Sequence, residues 1–210
     1  YQAGFDLTYS WNYYTALKNV WASASSQTLT TAHQAEITAI PNGKGKVRFT
    51  TNHDQSAWEA SPMTLFNGKN GAIAASVANL FSGGTPLLYT GQEVGKTGTT
   101  PFFSNSTINW SANADMLEAY QKIYSIYNNY PAARSNNFSI YQLSNDLICW
   151  KKVNGSSTLL ILINVRNSSI SVTLPPVLTG ELKNLITNQI ESVSSSFTLA
   201  PYNYRIYQMN

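Results

Sequence analysis

Val47-Arg48-Phe49-Thr50-Thr51-Asn52-His53-Asp54 is an apolar, β-branched run that ends abruptly in three polar residues. The first five positions read as a short strand, and Asn52-His53-Asp54 begins the segment that follows it. A polar loop is expected from there to Asn67. Upstream, Gly4–Tyr9 reads as an earlier strand. Tyr13/Tyr14, Leu17 and Val20/Trp21 recur at helical spacing, and Thr30–Ile40 reads as a second helical piece closed by Pro41-Asn42-Gly43. Downstream, Ile73, Ser76/Val77 and Leu80/Phe81 mark an amphipathic helix that Gly83-Gly84 stops. Thr85–Tyr89 reads as a third strand. Leu117, Tyr120, Ile123/Tyr124 and Tyr127 form the apolar face of a last helix, which Asn113 or Ser111 caps and Pro131 ends. Strands that alternate with helices pair in parallel through crossover connections.

From about Phe138 the period changes. Segments 138–143, 146–153, 158–165 and 168–174 are closely spaced and β-rich, with Asn154-Gly155 as a hairpin turn. Segments near 182–193, 196–200 and 203–208 continue the style, and no helical pattern appears. The fold class is therefore α/β followed by all-β. Residues 1–136 form one part and 137–210 an antiparallel β domain, with the boundary near Arg134–Asn137. Three strand–helix units are too few for an eight-stranded barrel, yet their strands are short and apolar as barrel strands are.

Composition narrows the function classes. The 210 residues are 43% hydrophobic, enough for a core, and only 11% charged, against roughly 25% in an average soluble domain. Asn, Ser and Thr supply the polarity, which favours an extracytoplasmic protein. The net charge of +3 is scattered. Lys44/Lys46 and Lys151/Lys152 are its densest spots and read as solvated surface, so no nucleic-acid partner is expected. Neither a signal peptide nor a transmembrane run is expected within these residues. The single cysteine, Cys149, lies in an apolar run and reads as a buried thiol. His33 reads as a surface residue. With His53 it makes two histidines without ligand spacing, so no metal site is expected.

Phe49-Thr50-Thr51-Asn52-His53-Asp54 resembles the region of the α-amylase superfamily in which a barrel strand ends in Asn-His-Asp. Gly4-Phe5-Asp6 resembles that family's sixth barrel strand. Gly84-Thr85-Pro86-Leu87-Leu88-Tyr89-Thr90-Gly91-Gln92-Glu93 resembles its eighth strand and following loop. Ile108-Asn109-Trp110 and Tyr120 to Ala132 resemble the last barrel helix with its entry and exit. The β-rich remainder has the position and size of the family's C-terminal sandwich. The resemblance implies about the last three units of a (β/α)8 barrel followed by a small antiparallel β-sandwich.

It also implies a retaining glycoside hydrolase acting on α-glucans such as starch and maltooligosaccharides. Asp54 would be the carboxylate that stabilises the transition state, and His53 would donate to the same sugar. Trp58, shortly after Asp54, is a candidate stacking surface. The family's nucleophile and acid/base reside on its fourth and fifth strands, and nothing here matches either. This chain is therefore expected to be inactive alone, and to pair with a missing N-terminal half of the barrel or self-associate through exposed sheet edges. No cofactor is expected in this chain; the family's calcium site belongs to the region without a match here. Glu93 is expected to structure its loop rather than act as acid/base, and Asp6 to play a structural part. The alternative is a non-catalytic carbohydrate-binding or interaction module derived from an α-amylase.

Overall fold

The computed structural model describes residues 1–136 and 138–209. Asn137, where the expected boundary falls, and Asn210 lie outside them. The chain opens with β1 (Leu7–Tyr9), α1 (Trp11–Trp21), α2 (Ser26–Thr38) and β2 (Gly45–Arg48). Two short helices, α3 (His53–Trp58) and α4 (Pro62–Leu65), precede α5 (Lys69–Phe81) and β3 (Thr85–Pro86). A 3-10 turn at Gln92–Val94 leads through a long loop to α6 (Ala114–Asn129) and α7 (Pro131–Arg134). The three strands form a parallel sheet in the order β1-β2-β3, with Tyr9 opposite Val47 and Val47 opposite Thr85. This is the expected piece of a (β/α)8 barrel. Its strands are shorter than the apolar runs implied: β3 ends at Pro86, which has no N–H for a ladder bond. No helix of the described residues is long and apolar enough to cross a membrane.

The remainder is β4 (Phe138–Ile140), β5 (Leu147–Asn154), β6 (Ser157–Asn164), β7 (Ile170–Thr173), β8 (Gly180–Asn184), β9 (Gln189–Val193), β10 (Ser196–Leu199) and β11 (Tyr204–Met209). Six strands make a sheet ordered β4-β5-β6-β11-β8-β9, and β7 pairs with β10 against it. The region read as one segment near 182–193 is thus a hairpin of two strands. Asn154 pairs with Ser157, so the tight turn is Gly155-Ser156, one residue later than expected. Gly155 adopts a φ of 57° at the first central position, where a primed turn needs it.

The six-stranded sheet is covered on both faces, which explains why Leu159-Leu160-Ile161-Leu162-Ile163 carries no polar alternation. Leu147, Cys149, Leu160, Leu162 and Tyr207 face β7 and β10, packing with Val172 and Leu199. Ile148, Trp150, Leu159, Ile161, Ile163 and Ile206 face the helices. Those residues share one core with Leu17 and Val20 of α1, Ala74 and Val77 of α5 and Ile123 of α6. Cys149 is buried as expected, and burial pushes its thiol up to about 12.

Helix α5 departs from its amphipathic reading. Every residue from Gly71 to Phe81 is buried, because barrel and sandwich sheets close on it from different sides. Its small residues make that possible. A Cβ on Gly71 would lie 1.7 Å from the carbonyl oxygen of Phe66, so only glycine lets the chain approach there. At the other end Gly84, at φ 89°, passes so near Lys46 that a Cβ would sit 2.6 Å from its carbonyl oxygen.

Two surface assignments are overturned. His33 is buried, with Nδ1 3.1 Å from Arg48 Nη2 and its ring centroid 4.7 Å from that of Phe138. Lys152 is fully buried, and its Nζ donates to the carbonyl oxygen of Phe81 at 2.7 Å. Both polar heads are drawn inside by partners far away in sequence. The centre of the cluster is Arg48, paired with Glu36 at 2.7 Å and donating to the Gly83 carbonyl at 3.2 Å. Ser10 Oγ bridges Glu36 and Arg48, and the guanidinium lies 4.1 Å from the centroid of the Tyr13 ring.

A second seam is fastened by Arg166. It pairs with Asp146 at 2.6 Å and donates to the carbonyl oxygens of Val20 at 2.6 Å and Ala24 at 2.7 Å, at the end of α1. A cation at a helix C-terminus is favourable, and the guanidinium fork reaches several carbonyls at once. Arg166→Ala should lower unfolding free energy by about 2 kcal/mol in urea titration. Lysine, a point donor, should recover only part of the loss; full recovery would show that the fork is not what matters.

Candidate carbohydrate site after β2

Beyond Arg48 the chain leaves the sheet and bends at Thr50, with Phe49, Thr50 and Thr51 all buried, before reaching Asn52. The Asn52 side chain accepts from the Gln55 N–H at 3.0 Å and so caps α3. The polar loop expected after Asp54 is therefore folded into α3 and α4. The Asn52 cap starts α3, and Pro62 stands in the first turn of α4. His53 and Asp54 occupy the first turn of α3, where a carboxylate is favourable. Their side chains are 52% and 48% exposed, with His53 Nε2 3.4 Å from Asp54 Oδ1.

Packing holds this short helix at both ends. Ser56 Oγ donates to the carbonyl of His53 at 3.0 Å, and the Thr100 N–H donates to the carbonyl of Ser56 at 2.7 Å. The second bond ties the loop after β3 to α3. Just past α3, Glu59 accepts from the Tyr14 hydroxyl at 2.5 Å and pairs with Lys18, both on α1. Burial and that carboxylate hold the Tyr14 hydroxyl far above the ordinary tyrosine range. Trp58, the other residue singled out from the sequence, projects from the end of α3 and is 74% exposed. Its ring centroid is 5.6 Å from that of Phe102, which in turn is 6.1 Å from His53. The structure thus brings His53, Asp54 and Trp58 onto one short helix. It adds Phe102, whose place in a long loop carried no signal in the sequence.

The other carboxylates are occupied elsewhere or remote. Asp6 lies just before β1 and pairs with Lys44 at 2.7 Å, which holds its carboxyl below the usual range. Glu36 belongs to Arg48, Glu59 to Lys18, Asp115 to Lys69 and Asp146 to Arg166. Gln92 ties the loop after β3 to two helices, donating to Ser76 Oγ at 3.2 Å and to the Tyr120 hydroxyl at 2.9 Å. The neighbouring Glu93 has its Oε2 buried without a hydrogen-bond partner among the described residues. Among these residues Asp54 forms an ion pair only with the adjacent His53. No three His, Cys, Asp or Glu of the described residues come together as metal ligands.

The described residues thus join a three-stranded parallel sheet and its helices to an antiparallel β domain. Solved structures share this arrangement over the whole chain. The α-amylase from Lactobacillus plantarum superposes with a TM-score of 0.81 at 20% identity, covering 100% of this chain and 49% of that one. The α-amylase from Geobacillus thermoleovorans, solved with acarbose, gives a TM-score of 0.81 at 18% identity over 99% of this chain and 48% of that one. The α-amylase from H. orenii gives 0.78 at 17% identity, covering 100% and 50%. A curated cyclomaltodextrinase from Geobacillus thermopakistaniensis (strain MAS1) is 24% identical over 133 residues, 59% of this chain and 23% of its own length. A family model described as a beta-galactosidase C-terminal domain matches residues 149–209. The chain spans about half the length of these solved structures and under a quarter of the curated relative.

Proposed function

We propose that this chain forms one wall of the active site of a retaining glycoside hydrolase acting on α-glucans. Asp54 is its transition-state carboxylate and His53 its hydrogen-bond donor. The observation that carries the reading is the pair itself: two adjacent, half-exposed side chains held on a capped helix directly after a barrel strand. A carboxylate accepts from two vicinal hydroxyls at once, and those bonds strengthen as positive charge develops on the sugar ring. The imidazole donates to a hydroxyl of the same unit, and Trp58 offers an apolar face beside it.

Retaining cleavage needs two further carboxyl groups roughly 5–5.5 Å apart across the glycosidic bond. The carboxylates elsewhere in the chain are bound into ion pairs, buried, or on distant elements, so nucleophile and acid/base come from outside residues 1–210. The natural place for that complement is the free edges of β1 and β3, each paired on one side only among the described residues.

The isolated chain should therefore show no turnover of a chromogenic maltooligosaccharide. Turnover by the chain, abolished by Asp54→Ala, would overturn this division of labour. The second reading is a binding module without catalysis, favoured by the solvent-facing Trp58 beside Asp54. The two separate on adding a barrel segment that carries the two carboxylates: restored hydrolysis supports the enzyme, binding without hydrolysis the module.

A further inference from the structure

We propose that Asn42 is a site of spontaneous covalent modification. Its side-chain amide closes onto the Gly43 nitrogen and hydrolyses to aspartate and isoaspartate, ahead of every other Asn-Gly pair in the chain. Four such pairs occur: Asn42-Gly43, Asn67-Gly68, Asn70-Gly71 and Asn154-Gly155. The chemistry is the same at each. Base removes the glycine N–H proton, and the nitrogen attacks the side-chain carbonyl carbon of the asparagine. A C–N bond forms, the Cγ–Nδ2 bond breaks, and Nδ2 takes up a proton and leaves as ammonia. Water then adds to either carbonyl of the five-membered imide and opens it. One water is consumed, one ammonia is released, and nothing is oxidised. Glycine favours the closure because no Cβ crowds the attacking nitrogen.

The fold separates the four pairs by what each has to give up. A free N–H beside a free side chain reacts directly, whereas a bonded or helical pair reacts only after local opening. Asn42 and Gly43 are exposed and form the centre of the turn between α2 and β2, which the Lys44 N–H closes on the Pro41 carbonyl at 3.1 Å. Gly43 has a φ of 78°, as the third residue of a type II turn requires. Neither the Asn42 side chain nor the Gly43 N–H has a hydrogen-bond partner among the described residues. Nothing lies within 4 Å of the place a Gly43 Cβ would take, so the ring has room to close. At Asn67-Gly68 both groups are engaged. Asn67 Nδ2 donates to the Trp21 carbonyl at 3.2 Å and the Tyr202 hydroxyl at 2.9 Å, and the Gly68 N–H donates to the Met63 carbonyl at 2.7 Å. Asn70-Gly71 stands in the first turn of α5 with Gly71 buried, so the helix end has to unwind first. Asn154-Gly155 is intermediate. It is exposed, but Asn154 is paired with Ser157 and its Nδ2 donates to the Pro131 carbonyl at 3.4 Å. Conversion of Asn42 places a new negative charge two residues before Lys44, whose Nζ already pairs with Asp6 at 2.7 Å. It does so before the start of β2, whereas His53 and Asp54 follow that strand's other end.

The test ages the full chain in mildly alkaline buffer and follows each pair by tryptic mapping with mass and isoaspartate detection. Peptides 19–44, 49–69, 70–96 and 153–166 each carry one pair. Conversion should run about tenfold faster in 19–44 than in 49–69 or 70–96, the cost of breaking one or two hydrogen bonds before reaction, with 153–166 between. In guanidinium the four rates should converge. Asn42→Gln, which would have to close a larger ring, should delete the first acidic species on ion exchange. Faster conversion at any other pair, or four equal rates in the folded chain, overturns the proposal. So does a ranking that survives in guanidinium, because sequence rather than fold would then set it, and so does persistence of the first acidic species in Asn42→Gln.

Discussion

Arg48→Met should lower the unfolding free energy by about 3–5 kcal/mol, the usual cost of stranding one member of a buried ion pair. Glu36 would keep Ser10 Oγ and the Tyr13 N–H, at 3.3 Å, as donors but lose the cation it pairs with among the described residues. The Gly83 carbonyl would lose its bond from Arg48 as well. Total stability for a domain is about 5–15 kcal/mol, so the urea midpoint should fall by about a fifth or more. The double variant Arg48→Met/Glu36→Leu should regain most of that loss, because it removes both charges and keeps the volume. A single variant within 1 kcal/mol of wild type, on the order of ordinary surface substitutions, would mean that Glu36 finds water or protonates at little cost.

The second large effect is on pH dependence, through Lys152. Burial, and next the nearby Arg48 charge, bring its ammonium down from 10.5 to about 7. The groups around it explain the direction. Arg48 of β2 and His33 and Glu36 of α2 share the cluster, the Phe138 ring centroid of β4 lies 4.9 Å from Nζ, and Glu36 is already taken by Arg48. A folded value below the unfolded one means that the unfolded chain binds the extra proton between pH 7 and 10.5. Stability from this residue is therefore lowest below pH 7 and rises with pH through that window, with a limiting slope of about 1.4 kcal/mol per pH unit. Buried tyrosines oppose it higher up: burial holds Tyr13 and Tyr120 near 12, so they cost stability above pH 10. Cys149, raised by burial from 9.0 to about 12, begins to cost stability near pH 9, so urea unfolding from pH 7 to about 8 isolates the lysine. Lys152→Met should flatten the rise. An unchanged slope in that variant would assign the rise to other groups. His33, brought down to about 3 chiefly by burial, acts with the same sign at lower pH.

The parts of the molecule legible in the sequence are those set by local pattern. The alternation of strand and helix before Arg134 and the hairpins after Phe138 follow from periodicity and turn residues, whereas the strand expected to run to Thr51 ends at Arg48. Residues whose environment is made by distant segments were not legible. Lys152 stands next to Lys151 in a polar-looking stretch, yet its head reaches the end of α5, 71 positions away in the chain. His33 sits among polar neighbours in α2, and only Arg48 and Phe138 together make it a core residue. Helix α5 shows an apolar stripe, but its small residues hid the second sheet that closes on the opposite side. At the site, Asp54, His53 and Trp58 were visible because they are neighbours in sequence. Phe102 was not, because only the fold of the long loop after β3 brings it to α3.

The core beneath the six-stranded sheet, where Trp150 and Ile161 pack with Leu17, Val77 and Ile123, bears on how this architecture can evolve. The sandwich is not a portable cassette. A recombination event that exchanged it for another would leave the outer face of α5 against foreign side chains, and would sever Lys152 from Phe81 and Arg166 from α1. Innovation in such a chain is therefore channelled into loops such as the one carrying Phe102, which change without disturbing that shared interior.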